Sequence, residues 1–229
     1  VSASPLVSLR AALEGELTWR RVEIKDLRNM LSDSSSARVK NSHKRAIIVM
    51  LYAHLEGFVR SALEEYATTI NKSQITLGEA KKQLTAACLS DAFKRYRTPE
   101  NVDRNDMSAS KARQVMRDAE LVESVLDVRD QLVSLDVQKI CSTDSNLTPS
   151  ILRRNLQLLA LDDHRFRRFV DKLDGLLKKR NAIAHGEQMR VAEHDDLSHL
   201  ENDVFELCEV LMLDIYAAVR NESFRRANE

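Results

Sequence analysis

Lys178-Lys179-Arg180-Asn181-Ala182-Ile183-Ala184-His185-Gly186-Glu187 closes an apolar-periodic run, and its reading decides the fold. The run places Phe166, Val170, Leu173, Leu177, Arg180 and Ala184 three or four residues apart, which is the helical period. Gly186 marks the stop, since glycine takes the left-handed conformation that ends many helices. Arg180 therefore lies on the stripe that faces protein. A guanidinium keeps its proton and needs acceptors when it leaves water. Arg180 either reaches out at the edge of the core or lines a cleft or interface that binds anions. Asn181 and His185, four apart, share a helix face. Arg180 and His185 are five apart, about 140° around an ideal helix. They converge only if the arginine curls, the last turn distorts, or a second copy packs alongside.

Working outward, the rest of the chain reads as helix. Only 5 Gly and 3 Pro occur in 229 residues, and Leu, Ala, Glu, Lys and Arg abound. The spacing predicts a helix over 6–31 with Leu9, Leu13, Leu17, Ile24, Leu27 and Leu31 inward and Trp19 at one edge. A polar loop follows at 32–36. A long helix over 40–71 carries Ile48, Leu51, Leu55, Val59, Ala62, Tyr66 and Ile70 on one stripe. Thr76 and Glu79 form a capping-box pattern that predicts a helix to Arg97 with Leu84, Cys88 and Phe93 inward. Residues 98–110 read as an irregular connection. Helix returns over 110–138 with Val115, Ala119, Val122, Leu126, Val133 and Val137 as its stripe. After a polar loop at 142–146, Thr148 and Pro149 supply an N-cap and a first-turn proline. Asp162 or Asp163 opens the Arg180 helix. A last helix spans 195–222 with Leu197, Leu200, Val204, Leu207, Leu211, Ile215 and Ala218 in register. The expectation is an all-α bundle: one helical domain over 1–229, a core of about 40–220, and a helical insertion at about 76–138.

Charge bounds the partners. Lys plus Arg and Asp plus Glu both total 35, so the net charge is zero. A strongly basic nucleic-acid binder is not indicated, and any RNA surface must be a local patch. The candidate footprint is Lys178, Lys179, Arg165 and Arg168, with Arg153, Arg154, Arg167 and Lys172 nearby, against the plainer reading of solvated helix faces. Cys88, Cys141 and Cys208 are far apart and odd in number, which predicts free thiols in a reducing cytoplasm. His194, Asp195, Asp196 and His199 lack metal-ligand spacing, so neither a metal nor another cofactor is expected. No run of 18 apolar residues suggests a membrane span.

Arg180-Asn181-x-x-x-His185 resembles the Arg-x(4–6)-His signature of HEPN domains, with the polar residue that follows the arginine. Leu51-Tyr52-Ala53-His54-Leu55-Glu56-Gly57-Phe58-Val59, Ser145-Asn146-Leu147 and Ala184-His185-Gly186-Glu187 are similar to a bacterial branch found with defence and toxin–antitoxin loci. The likeness covers roughly residues 40–220. It implies a HEPN-like helical bundle with extra helices. It also implies a homodimeric, metal-independent ribonuclease that acts on RNA, with an antitoxin or other defence-system protein as partner. Some toxin members carry a tyrosine two residues after the histidine, where a partner enzyme modifies it; Glu187 stands there in this chain.

The chemistry fits those side chains. RNA is cut when its 2′-OH attacks the adjacent phosphorus, which needs a base, an acid and a stabiliser of developing negative charge. Histidine suits both proton roles near neutrality, and arginine suits the phosphoryl oxygens. Two proton transfers against one motif histidine per chain point to a site shared by two chains. The expected roles are His185 as general acid/base, Arg180 as transition-state stabiliser and Asn181 as orienting amide. Glu56 is expected to hold Arg180 or His185 from the neighbouring helix, or else to be an exposed salt-bridge partner. The alternative is a non-catalytic relative that binds RNA, acts as an antitoxin or serves as a scaffold.

Overall fold

The computed structural model describes residues 5–32, 36–97, 107–126, 128–188, 190–191 and 194–226. At its centre runs α2 (Ala37–Lys72). Its buried residues include Ile47, Ile48, Leu51, Leu55, Phe58, Val59, Ala62, Tyr66 and Ile70, so more than one face is covered. Helix α1 (Pro5–Ser32) packs along it through Leu9, Leu13, Leu17 and Ile24. The last long helix, α9 (His194–Arg220), packs on both α1 and α2 through Leu197, Val204, Leu207, Leu211 and Ile215. Helix α8 (Val170–Ala184) fills the remaining side of α2 with Leu173, Leu176 and Leu177. By length and composition α2 could cross a bilayer, yet its apolar stripe is packed by these three helices.

Polar ties join the layers. Arg28 Nη1 pairs with Glu201 at 2.7 Å between α1 and α9, and Lys172 Nζ with Asp203 at 2.6 Å between α8 and α9. Between α1 and α2 the Arg20 side chain is buried. It bonds Glu16 at 2.5 Å and lies 4.3 Å over the Trp19 ring. Gly57 makes that approach possible, because a Cβ there would come within 3.2 Å of the Arg20 guanidinium. Buried His54 stands edge-on to Trp19 and 2.8 Å from Glu23, at an angle that forms no hydrogen bond.

The middle of the chain departs from the periodic reading. The Thr76–Glu79 pair does bond, Thr76 N–H donating to Glu79 Oε2 at 2.8 Å, but it closes a turn and opens no helix. The backbone there is engaged by two distant segments. Leu77 N–H donates to Gln131 O at 2.8 Å, Val133 N–H to Ile75 O at 2.8 Å, and Arg226 N–H to Glu79 O at 2.7 Å. Helix therefore begins later, as α3 (Lys82–Cys88), and restarts as α4 (Ser90–Arg97). Leu84 is buried, whereas Cys88 and Phe93 are half-buried. Of the expected connection at 98–110, residues 98–106 lie outside those described, and α5 (Met107–Leu126) has begun by 107. The expected helix to 138 ends at 126. Residues 128–136 are drawn into bonds with 75–78 and with Asn71, whose Oδ1 accepts from Leu135 N–H at 2.8 Å. A single turn, α6 (Val137–Ile140), follows. Of the expected stripe only Val133 is buried; Val115, Val122 and Leu126 face solvent. Residues 33–35 of the expected loop, and the side chains of His194, Asp195 and Asp196, lie outside the described set.

Helix α7 (Pro149–Leu158) starts as its sequence dictates. Thr148 Oγ1 accepts from Ile151 N–H at 3.2 Å, and Pro149 occupies the first turn. Buried Asn155 donates to Ser142 O at 3.0 Å and pins the preceding loop. The Arg180 helix does not open at Asp162 or Asp163. His164–Phe169 form a 3-10 turn that buries Phe166 and Phe169, and α-helix begins at Val170.

Candidate functional site

The end of α8 is built by its last five residues. Gly186 has φ +82°, Gly186 N–H donates to Ile183 O at 3.1 Å, and Glu187 N–H donates to Ala182 O at 3.0 Å. This pair of bonds is the Schellman closure, and it leaves His185 as the C-cap. The His185 side chain is exposed at the helix end. The chain beyond is tied back to α2, since Val191 N–H donates to Asn41 Oδ1 at 2.9 Å.

Arg180, two turns into the protein from that tie, is half-buried. Its guanidinium lies 4.5 Å over the ring of Tyr52, a cation–π contact worth about 1 kcal/mol. Its Nη1 donates to Asn181 Oδ1 at 2.7 Å. Among the described residues no carboxylate lies within 4.0 Å of the guanidinium, so several of its donors stay available.

Tyr52 links this arginine to two further parts of the chain. Its hydroxyl accepts from Leu147 N–H at 2.7 Å, in a buried bond. Burial, then the Glu56 carboxylate one turn along α2, push the phenol up to about 12, so it stays neutral. The Leu147 bond and the Arg180 charge work the other way. Glu56 is half-buried and faces this hydroxyl; it forms no salt bridge with Arg60, which pairs with Glu64 at 2.9 Å. The structure thus places Glu56 beside Tyr52, and it reaches Arg180 through that ring.

Two contacts fix the register of α2 on α8: Tyr52 with Arg180 and Asn41 with Val191. The helices run antiparallel. Along α2, Asn41, Arg45, Tyr52 and Glu56 recur on one face at helical spacing. Arg45 lies between the two contacts, as His185 does on the other chain segment. Arg45 is half-buried, its Nε is buried without a hydrogen-bond partner, and it joins no ion pair among the described residues. Sequence reasoning did not single out Tyr52 as a site residue, and its reading of His43, Lys44 and Arg45 as a small basic cluster favoured solvated surface. The available signal was the phase of Tyr52 and Arg45 with Glu56.

Within one chain the structure does not bring Arg180 and His185 into contact. Nor is the expected basic footprint uniform. Lys178 pairs with Asp174 at 2.6 Å, Arg168 with Glu206 at 2.8 Å, and Arg165 with Asp214. Arg153 pairs with Asp163 at 2.7 Å and Arg154 with Asp144 at 2.5 Å. Lys179, by contrast, has no carboxylate partner among the described residues and sits beside Arg180. Arg45, Lys179 and Arg180 are thus among the cations that have no carboxylate partner among the described residues.

A cavity of about 360 Å³ opens between α7 and the start of α8, lined by Pro149, Leu152, Arg153, Phe166, Arg167 and Leu173 among others. Its wall includes Pro149, two residues along the chain from Leu147, which bonds Tyr52. Cys88, Cys141 and Cys208 are free, and burial pushes the thiols of Cys141 and Cys208 up to about 12, which keeps them from acting as thiolates. Among the described residues no group of three or more His, Cys, Asp or Glu is placed to hold a metal ion.

A family model described as MAE_28990-like HEPN matches residues 9–224. No curated protein and no solved structure matches the chain.

Proposed function

The chain belongs to the MAE_28990-like HEPN family, and from that premise we propose that it is a metal-independent endoribonuclease whose site is completed by a second copy. The observation that carries this reading is the state of Arg180. It is held on the Tyr52 ring, free of any carboxylate among the described residues, and one turn before an exposed histidine. A cation kept half-buried without a counter-charge is ready to take an anion from outside the chain.

In this reading the RNA phosphate lies against Arg180 and the amide of Asn181. His185 of one chain removes the 2′-OH proton, and His185 of its copy protonates the departing 5′-oxygen. Electrons flow from the 2′-oxygen to phosphorus and out onto the 5′-oxygen, leaving a 2′,3′-cyclic phosphate and a 5′-OH. Arg180 offsets the negative charge on the phosphorane. Lys179 and Arg45 extend the positive surface along the strand, Tyr52 positions Arg180, and Glu56 sets the field around Tyr52. Lys178, Arg165 and Arg168 contact the backbone only if RNA displaces their present acidic partners. A toxin of a toxin–antitoxin pair or a defence nuclease, held in check by a partner protein in the cytoplasm, is the biological setting that this chemistry suits.

One observation favours a second reading. The net charge is zero and most arginines near α8 are already neutralised by carboxylates. A relative that binds RNA or a partner without cutting, as an antitoxin or scaffold, needs no more than that.

End-group analysis of an RNA pool in EDTA separates the two. Cleavage by the wild type with cyclic-phosphate and 5′-OH ends, lost in His185→Ala with the fold intact, supports the ribonuclease. Binding that weakens with salt but leaves all RNA ends untouched supports the second reading. Undiminished cleavage by His185→Ala removes that residue from the mechanism.

A further inference from the structure

Three stretches far apart in sequence meet around a hollow of about 740 Å³ beside α3 and α4. Its lining comes from 77–93, from 125–129 and from Arg226. Backbone bonds hold these stretches together. Gly78 N–H donates to Arg129 O at 2.9 Å, Lys81 N–H to Phe224 O at 2.9 Å, and Arg226 N–H to Glu79 O at 2.7 Å. Gly78 also decides where Arg129 lies. A Cβ at position 78 would fall 2.7 Å from Arg129 Cγ, so glycine is what lets that side chain cross the turn. The fold, and not a chance gap between side chains, shapes this hollow.

Its charge is one-sided. Lys81, Lys82, Arg129 and Arg226 line it, and no Asp or Glu stands among the described lining residues. None of the four pairs with a carboxylate among the described residues. Glu79, their neighbour in sequence, is engaged elsewhere: it accepts from Thr76 N–H at 2.8 Å and pairs with Arg225 at 3.3 Å. In a chain of zero net charge, four such cations around one hollow call for an anion.

The size says which kind. Hollows of roughly 300–1,000 Å³ take one small molecule. Four positive charges in that space need dense negative charge. A phosphate group brings up to about two charges. A peptide brings one per acidic residue and RNA one per nucleotide, so either must run well past the hollow to meet all four cations. A di- or triphosphate meets them within one molecule. Much of the remaining lining is apolar, with Leu89, Phe93 and Val128 half-buried, which suits an organic body better than a bare inorganic chain.

We propose that this hollow binds a di- or triphosphate ester of an apolar or aromatic body, the phosphates held by Lys81, Lys82, Arg129 and Arg226 and the organic part set against Phe93. The site shares no residue with the Arg180 site and stands whether or not the protein cleaves RNA. Its ligand ties three separate stretches of chain together and so stabilises the folded state.

Calorimetric titration of the full chain in EDTA tests it, with inorganic tripolyphosphate and adenosine triphosphate as probes. Both bind, one per chain, and the nucleotide binds more tightly. Lys82→Glu/Arg226→Glu, which alters two exposed side chains, weakens both by about tenfold or more. Phe93→Ala weakens the nucleotide alone, and its unchanged affinity for tripolyphosphate shows that the hollow is still formed. Arg180→Ala binds both probes as the wild type does. Absence of binding at millimolar probe overturns the proposal, as does binding lost in Arg180→Ala and kept in Lys82→Glu/Arg226→Glu. Equal affinity for the two probes overturns the ester. Polyglutamate or a single-stranded oligoribonucleotide that binds through Lys82 and Arg226 where tripolyphosphate fails assigns the hollow to an extended polyanion instead.

Discussion

The Arg180 guanidinium and the Tyr52 ring are stacked 4.5 Å apart, and the Tyr52 hydroxyl on the far side accepts from Leu147 N–H at 2.7 Å. One side chain of α2 thus fixes both the candidate catalytic arginine and the entry to α7. Tyr52→Phe keeps the ring under Arg180 but leaves a buried N–H without an acceptor, at a cost of about 1–3 kcal/mol. Chemical denaturation of the two proteins should show that loss. Cleavage by the folded Phe variant should stay within a few-fold of wild type, while Tyr52→Leu lowers it further by releasing the arginine. Equal activity in the Leu variant would show that the stack does not position Arg180.

A shared site has a signature that a single-chain site lacks. Arg180→Ala should lower cleavage by roughly 10²–10³-fold, the usual effect of removing one stabiliser of transition-state charge. His185→Ala should lower it by roughly 10²–10⁴-fold. Excess His185→Ala chain added to the wild type should lower its cleavage, because each mixed pair holds one of the two histidines that the proton transfers need. Wild-type activity unchanged by the added variant points to a site contained in one chain.

Gly186 tests how firmly the helix end holds His185. A Cβ at this position meets nothing within 4 Å, so space is not the constraint. The positive φ of 82° is, and Gly186→Ala should destabilise the protein by about 1 kcal/mol through backbone strain. Thermal unfolding measures it. A change in the pH profile of cleavage, beyond the stability loss, would show that the Schellman turn also sets the imidazole's position.

His54 gives the fold a dependence on pH. Burial lowers its pKa below the ordinary 6.5 and Arg20 pushes the same way, while Glu23 opposes them. The unfolded chain therefore takes up this proton before the folded one does. Stability is full above about pH 6.5 and declines as the pH falls toward the lower folded value. His54→Gln, whatever its effect near neutrality, should flatten that decline. Parallel stability curves for the two proteins would show that another group carries the acid sensitivity.

The apolar stripes of α1, α2 and α9 were legible because each of these helices faces its neighbours along its whole length, so helical period and burial coincide. The end of α8 was legible too. Gly186 and His185 act through local backbone geometry, which a sequence states directly. Residues 76–138 were less so. Thr76 and Glu79 form the bond their spacing predicts, yet the turn is claimed by the backbone of 129–133 and 224–226, a competition no local pattern records. In α5 the periodicity was read correctly and its direction was not, because a stripe shows that a helix wants a partner and says nothing of where the partner is.

The site divides the same way. Sequence alone determined that Arg180, Asn181 and His185 share the last turns of a helix and that the arginine and histidine point about 140° apart. Only the packing of α8 antiparallel on α2 decided which side chains surround them. It set Tyr52 beneath Arg180, turned Glu56 toward that tyrosine, and brought Arg45, which joins no ion pair among the described residues, into the same face. The reason is physical: a helix fixes neighbours within four residues through its own hydrogen bonds, whereas the meeting of residues 52 and 180 depends on how two separate apolar stripes bury each other.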